Sequence, residues 1–177
     1  MSAGNPTFRI VVLASGGGTN LQAILDQLHG KEGIEVAGVA SDKPDAFALE
    51  RAAAAKVPTG VFARDDWPDR KARDLAMADW IDSVEADLVV LAGYMQLVSP
   101  EFVARFRGRI VNVHPALLPS FPGLDAIGQA IEHGVRITGV TVHYVDEGTD
   151  TGPVIRQQAV EIPANWDRDE LEIAVHD

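Results

Sequence analysis

Residues 8–20 read FRIVVLASGGGTN, and the fold class turns on them. Phe8 to Ala14 is a short apolar run rich in β-branched residues, the pattern of a strand buried on both faces. Ser15-Gly16-Gly17-Gly18 ends it. From Thr19 to Leu28 apolar residues recur at helical spacing, at Leu21, Ile24, Leu25 and Leu28. Thr19 and Gln22 are spaced as a capping box, which predicts the helix start at that point. Strand, tight glycine turn and helix together make the first half of a βαβ unit.

The alternation continues outward from there. Ile34 to Ala40 repeats the strand pattern, Phe47 to Lys56 is alanine-rich and helical, and Thr59 to Ala63 is a weaker third strand. Pro68 to Val84 predicts a longer helix, and Leu88 to Ala92 is the most apolar strand of all. Ser99-Pro100-Glu101 opens a short helix with a cap residue and proline at its first position. Arg109 to Val113 is a strand, Leu124 to His133 a helix, and Arg136 to Val145 and Val154 to Ile162 are paired strands. Residues 167–177, DRDELEIAVHD, start an acidic amphipathic helix. The expected fold is α/β: a single Rossmann-like domain over residues 1–177, short at its C-terminus. Its sheet is mostly parallel and twisted, of about seven strands, with helices on both faces and a mixed edge.

Composition narrows the function. The 177 residues are 46% apolar and 23% charged, which is ordinary for a globular chain and excludes a disordered one. There is no cysteine, so disulfides and thiolate-held metals are excluded. No apolar run approaches the ~20 residues of a membrane span, and MSAGNPTFR holds no apolar secretory core, so the expected location is cytoplasmic. The net charge of −11 argues against nucleic acid or an anionic membrane as a partner. An anionic small molecule stays open, because a nest of backbone N–H groups can hold a phosphate inside an acidic protein.

Three segments can carry chemistry. The Ser15–Asn20 turn lets backbone approach a ligand at a helix start, where free N–H groups and the positive dipole end favour a phosphate. No Gly-Lys-Ser/Thr follows, so it is not a Walker loop, and Leu21 stands where a dinucleotide fingerprint needs a small residue. A tight turn that binds nothing is the other reading. In Arg109-Ile-Val-Asn-Val-His-Pro115, strand alternation puts Asn112 and His114 on one side and Val111 and Val113 on the other. An amide donor beside an imidazole at the carboxyl end of a strand suits an oxyanion; a histidine satisfied by its own fold is the alternative. Asp146-Glu-Gly-Thr-Asp150-Thr-Gly-Pro153 reads on its own as a connecting loop, and Gly148 falls where a calcium loop needs a ligand. None of the five histidines is paired at helical spacing, so no metal site is expected.

In this order the three segments resemble the folate-dependent formyltransferase family, over Arg9 to about Ile162. Asn112-Val-His-Pro-Ala-Leu-Leu-Pro119 resembles the family's Asn-x-His-Pro-Ser/Ala-Leu-Leu-Pro signature, and Val142-His143 through Pro153 its aspartate loop. Leu13 to Asn20 resembles the phosphate loop of the ribonucleotide-using branch, and Ala92-Gly-Tyr-Met-Gln-Leu-Val-Ser-Pro100 the segment that receives the pteridine. The resemblance implies transfer of a formyl group from 10-formyltetrahydrofolate, as co-substrate and without a metal, to the amine of glycinamide ribonucleotide in purine biosynthesis. It implies Asn112, His114 and Asp150 as the catalytic trio. Gly18, Thr19 and Asn20 would hold the ribonucleotide phosphate. Arg70 (with Asp74 four residues on, and Arg64 and Arg73 as neighbouring registers), Met95, Gln96, Leu97, Val98 and Asn112 would hold the folate. His143 resembles a histidine near the aspartate and receives no catalytic step.

Rival readings are a formyltetrahydrofolate deformylase, which would spend the trio on water, a methionyl-tRNA formyltransferase, which the length and acidity argue against, and a non-catalytic nucleotide-binding module. The expected partners are two small substrates, with no nucleic acid and no membrane, as a monomer or a homodimer. Two departures from the family pattern stand out. Asp125-Ala-Ile-Gly128 replaces a stretch where many members carry histidine and arginine, and no residue matches the family's C-terminal acidic contact to the glycinamide end.

Overall fold

The structure is a computed structural model that describes residues 7–176. Seven strands lie in the order β3-β2-β1-β4-β5-β6-β7. The chain divides into two compact units at Ile110.

The first unit runs β1 (Phe8–Leu13), α1 (Thr19–Gln27), β2 (Ile34–Ser41), α2 (Phe47–Ala54), β3 (Thr59–Val61), α3 (Arg70–Ser83), β4 (Leu88–Leu91) and α4 (Pro100–Arg105). β1 pairs in parallel with both β2 and β4, and β2 with β3. β1 is buried from Ile10 onward, and Val11, Val12 and Leu13 are fully inaccessible. Such burial stabilises by roughly 1.5–3 kcal/mol per large apolar side chain. Gly38 of β2 has no side chain because the indole of Trp80 lies there; a Cβ would come within 2.7 Å of it.

Helix starts follow the side-chain chemistry in α3 and α4. Asp69 accepts from the Ala72 N–H at 2.8 Å, so α3 begins after it rather than at Pro68. Ser99 caps α4 with Pro100 behind it, as the sequence predicts. The capping box expected at Thr19 does not form. Gly18, in the left-handed region (φ 68°), is the cap residue of α1 and supplies no side-chain bond. The Gln22 amide instead donates to Asp26 and accepts from Arg51.

The second unit holds β5 (Ile110–His114), α5 (Ala126–His133), β6 (Ile137–Tyr144), β7 (Val154–Glu161) and α6 (Arg168–His176). β5 pairs antiparallel with β6, and β6 with β7, which is the mixed edge expected from the sequence. Ile127, Ala130, Ile162, Leu171 and Val175 form its core, with Phe121 packed against it. α5 starts two residues later than its apolar pattern suggests, because Asp125 caps it through the Gly128 N–H. Among the described residues no helix is long and apolar enough to cross a membrane.

Candidate active site

The second unit brings Asn112, His114, His143 and Asp150 together. Asn112 and His114 leave β5 on the same side, and both reach Asp150. The antiparallel register sets His143 of β6 directly opposite Asn112. Asp150 follows the turn after β6 with its backbone in the left-handed region (φ 54°), a conformation aspartate tolerates better than most residues.

Each oxygen of the Asp150 carboxylate has two neighbours. Oδ1 accepts from the Asn112 amide at 3.3 Å and lies 3.5 Å from His143 Nε2. Oδ2 accepts from the Gly123 N–H at 2.7 Å and lies 3.5 Å from His114 Nδ1. Burial pushes the Asp150 carboxyl up, but the His143 hydrogen bond, the Gly123 N–H and the nearby imidazole charges together hold it below its ordinary value. Burial pushes His143 down; its bond to Asp150, the Tyr144 carbonyl at 2.9 Å and the charges of Asp150 and Asp146 outweigh that and raise it.

His114 is 4% exposed, and both its ring nitrogens face acceptors: Nδ1 the carboxylate, Nε2 the Phe121 carbonyl at 2.8 Å. The Phe121 ring packs on His133 and the unit's core, which holds that carbonyl in place. Buried Thr141 braces the loop after His114, donating to the Ala116 carbonyl at 2.6 Å and accepting from the Leu118 N–H at 3.1 Å. The sequence reading missed Phe121, Gly123 and Thr141. The first two contribute main-chain groups, which side-chain types do not announce.

The first unit carries the glycine turn. Among the described residues no carbonyl takes the N–H groups of Gly16, Gly17 or Gly18, while their own carbonyls are engaged. Gly16 O accepts from the Ala48 N–H at 3.0 Å, Gly17 O from Arg51 Nε at 2.7 Å, and Gly18 O from the Gln22 N–H at 2.9 Å. Beside Gly16 and Gly17 the space is open, whereas a Cβ on Gly18 would sit 2.8 Å from that of Ala48. The turn therefore points donors outward at a helix start, and α2 fixes its carbonyl side. Arg51, absent from the sequence reading, is the cation nearest to it in the bonding network.

The 95–98 segment is tied to the same turn, since the Met95 N–H donates to Ser15 Oγ at 2.8 Å. Met95 and Leu97 are 59% and 62% exposed, Gln96 and Val98 half-buried. Asp74, four residues after Arg70, is partnered by Arg73, one of the neighbouring registers. Arg70 is exposed at the start of α3 and makes no polar contact with a described residue. Arg73, 2% exposed, donates from Nε to Asp74 Oδ1 at 2.9 Å, has Nη2 in ion-pair range of the same oxygen at 2.7 Å, and reaches Gln96 through Nη1. The inward-facing position of the helix is the one beside the buried carboxylate. Among the described residues no group of three or more His, Asp or Glu is arranged to hold a metal.

The chain is similar to known proteins over most of its length. The formyl transferase family model matches residues 8–177. The chain is 40% identical over 169 residues to a phosphoribosylglycinamide formyltransferase of Bacillus subtilis, covering 95% of this chain and 87% of that protein. It is 42% identical over 174 residues to the trifunctional purine biosynthetic protein adenosine-3 of Drosophila pseudoobscura pseudoobscura, covering 97% of this chain but 13% of that much longer one. A crystal structure of glycinamide ribonucleotide transformylase 1 from Symbiobacterium toebii superposes with a TM-score of 0.93 at 44% identity, covering 99% of this chain and 86% of that one. An Asn-x-His strand end that shares one carboxylate with a second histidine thus stands in a chain that belongs to the formyl transferase family.

Proposed function

We propose that this protein transfers the formyl group of 10-formyltetrahydrofolate to the amine of glycinamide ribonucleotide. The observation that carries the reading is the Asp150 carboxylate, held ionised between two imidazoles and beside the Asn112 amide. Such a carboxylate accepts a proton, and its two neighbours on β5 donate hydrogen bonds to a developing oxyanion. The outward N–H groups at Gly16–Gly18 and the start of α1, with Thr19 and Asn20 next in line, suit the ribonucleotide phosphate. Exposed Met95 and Leu97, with the 95–98 backbone, suit a flat heteroaromatic ring. Arg70, whose guanidinium has no polar partner among the described residues, suits the anionic tail of a folate.

The co-substrate supplies the formyl carbon and a nitrogen leaving group. The amine lone pair of the ribonucleotide forms the new C–N bond, and the carbonyl electrons move onto oxygen. Asn112 and His114 donate to that oxygen, which replaces the Phe121 carbonyl as the acceptor for His114 Nε2. Asp150 takes the amine proton, directly or through water, and returns it to the departing folate nitrogen as the old C–N bond breaks. The products are formylated glycinamide ribonucleotide and tetrahydrofolate.

One domain spanning residues 1–177 fits this reading, since a single family model runs through both units. So does a cytoplasmic enzyme of small substrates. The test is an absorbance assay for loss of formyl-folate with and without the ribonucleotide. Loss that requires both substrates supports the transferase. Loss without ribonucleotide makes the protein a hydrolase, and no loss in either case refutes both.

A further inference from the structure

Buried polar side chains must find partners, so a chain of them through a parallel α/β core marks positions under constraint. One such chain lies in the first unit. Asp42, at the end of β2, is 7% exposed, Arg73 is 2% and Asp74 is fully buried. Gln96 links them, with Nε2 donating to Asp42 Oδ2 at 3.0 Å and Oε1 accepting from Arg73 Nη1 at 3.4 Å. Asp74 in turn accepts from the Ser99 N–H, at the cap of α4.

Of the two carboxylates in this chain, Asp74 pairs with the Arg73 guanidinium directly and Asp42 meets it only through Gln96; the other oxygen of Asp42 has no hydrogen-bond partner among the described residues. Gln96 is therefore the one donor to the Asp42 carboxylate among the described residues. A neutral amide serves a carboxylate at one end and a guanidinium at the other; a carboxylate in its place would face Asp42 with like charge. On either side of Gln96, Met95 and Leu97 turn out to solvent.

We propose that Gln96 is a positioning residue: its side chain, bound inward between Asp42 and Arg73, fixes the 95–98 backbone so that Met95 and Leu97 face outward as an apolar platform for the pteridine. The folate part of this assignment rests on the proposed function; the ordering of the segment does not. Gln96 thus acts on the folate through its neighbours, in place of the direct contact that its position in the segment suggests. Asp42, which the sequence gives no reason to single out, belongs to the same device.

The test compares Gln96→Glu, Gln96→Ala, and Gln96→Glu combined with Asp42→Asn, which supplies an amide donor in place of the repelling carboxylate. Gln96→Glu is expected to raise KM for formyl-folate roughly tenfold or more, as befits a lost half-buried hydrogen bond and an added like charge, with KM for the ribonucleotide unchanged. The combined variant is expected to recover most of that loss. Amide hydrogen exchange at 95–98 is expected to quicken in Gln96→Glu and Gln96→Ala and to slow again in the combined variant, with or without folate. Should Gln96→Glu not fold, Gln96→Ala and the combined variant supply the comparison. Parent-like exchange in both single variants, or in Gln96→Ala alone in that event, overturns the positioning role. Altered exchange with an unmoved folate KM overturns the platform. A parent protein that does not turn over formyl-folate at all refutes the proposed function and leaves the exchange result to decide the ordering.

Discussion

Replacing Asp150 by asparagine distinguishes a working carboxylate from a turn former. Asparagine suits the same left-handed backbone and can still accept from the Gly123 N–H, so the fold should survive. What disappears is a charge that faces two imidazoles at 3.5 Å each. A hydrogen bond to a charged group contributes about 1.5–3 kcal/mol against ~1 for a neutral one, so the substitution should destabilise by about 1–2 kcal/mol. The pH dependence has a definite sign. His143 is raised above 6.5, so its contribution is full below 6.5 and fades as pH rises through the raised folded value. Asp150 is lowered below 3.8, so its own contribution holds above 3.8 and is lost only as pH falls through the lowered folded value. Both are in force near pH ~5, so the cost of Asp150→Asn should be larger there than near pH ~9. Urea unfolding at the two pH values measures the difference. Turnover in the absorbance assay should fall by about 10²–10⁴, the usual range for losing a general base. A folded variant with near-parent turnover, or with equal destabilisation at both pH values, refutes the role assigned to this carboxylate.

Gly18→Val places a β-branched residue at φ 68° and a Cβ against Ala48, so KM for the ribonucleotide should rise with the folate KM unmoved; an unchanged ribonucleotide KM removes the turn from the site. Arg51→Met releases the Gly17 carbonyl and removes a charge beside the turn, and should raise the ribonucleotide KM by about tenfold with kcat held. Equal loss of kcat would show that Arg51 does more than orient the turn. Asn112→Ala and His114→Ala should each lower kcat by ~10²–10³, and the double variant by far less than the product, because both serve one oxygen. Full multiplicativity in that cycle would assign them to different steps.

The strand–turn–helix alternation was legible because each element carries its own period in the sequence, and the paired edge strands announced themselves by the loop between them. The glycine turn was legible in composition but not in detail. Thr19 and Gln22 have capping-box spacing, yet Gly18 takes the cap position in a left-handed turn packed on Ala48, and Arg51 from the next helix claims Gln22. Tertiary contact overrode a local rule. Asn112 and His114 were legible because strand alternation puts them on one side, as their shared reach to Asp150 bears out. The pairing of Arg73 with Asp74 was not. Arg64, Arg70 and Arg73 look alike along the chain; Arg64 precedes α3, Arg70 opens it on the exposed side, and Arg73 alone of the three is buried. Nor was the juxtaposition of His143 with Asn112, which depends on the register between two strands; a slip of one residue would put Val142 in its place.

That register has a chemical consequence. Each oxygen of Asp150 is held by one member of the reacting pair and one group outside it: Oδ1 by Asn112 and His143, Oδ2 by His114 and the Gly123 N–H. On the proposed mechanism the formyl oxygen takes the Asn112 amide and His114 Nε2, while His114 Nδ1 keeps its place beside Oδ2; Oδ1 then retains His143, and Oδ2 retains His114 and the Gly123 N–H. An unpartnered buried carboxylate oxygen would cost about 1–3 kcal/mol at the moment the proton must move. The outer pair removes that cost and keeps the carboxylate from turning away as charge develops. On that mechanism His143 and the Gly123 main chain act without touching the substrate: they keep the carboxylate aimed when the Asn112 amide turns to the formyl oxygen.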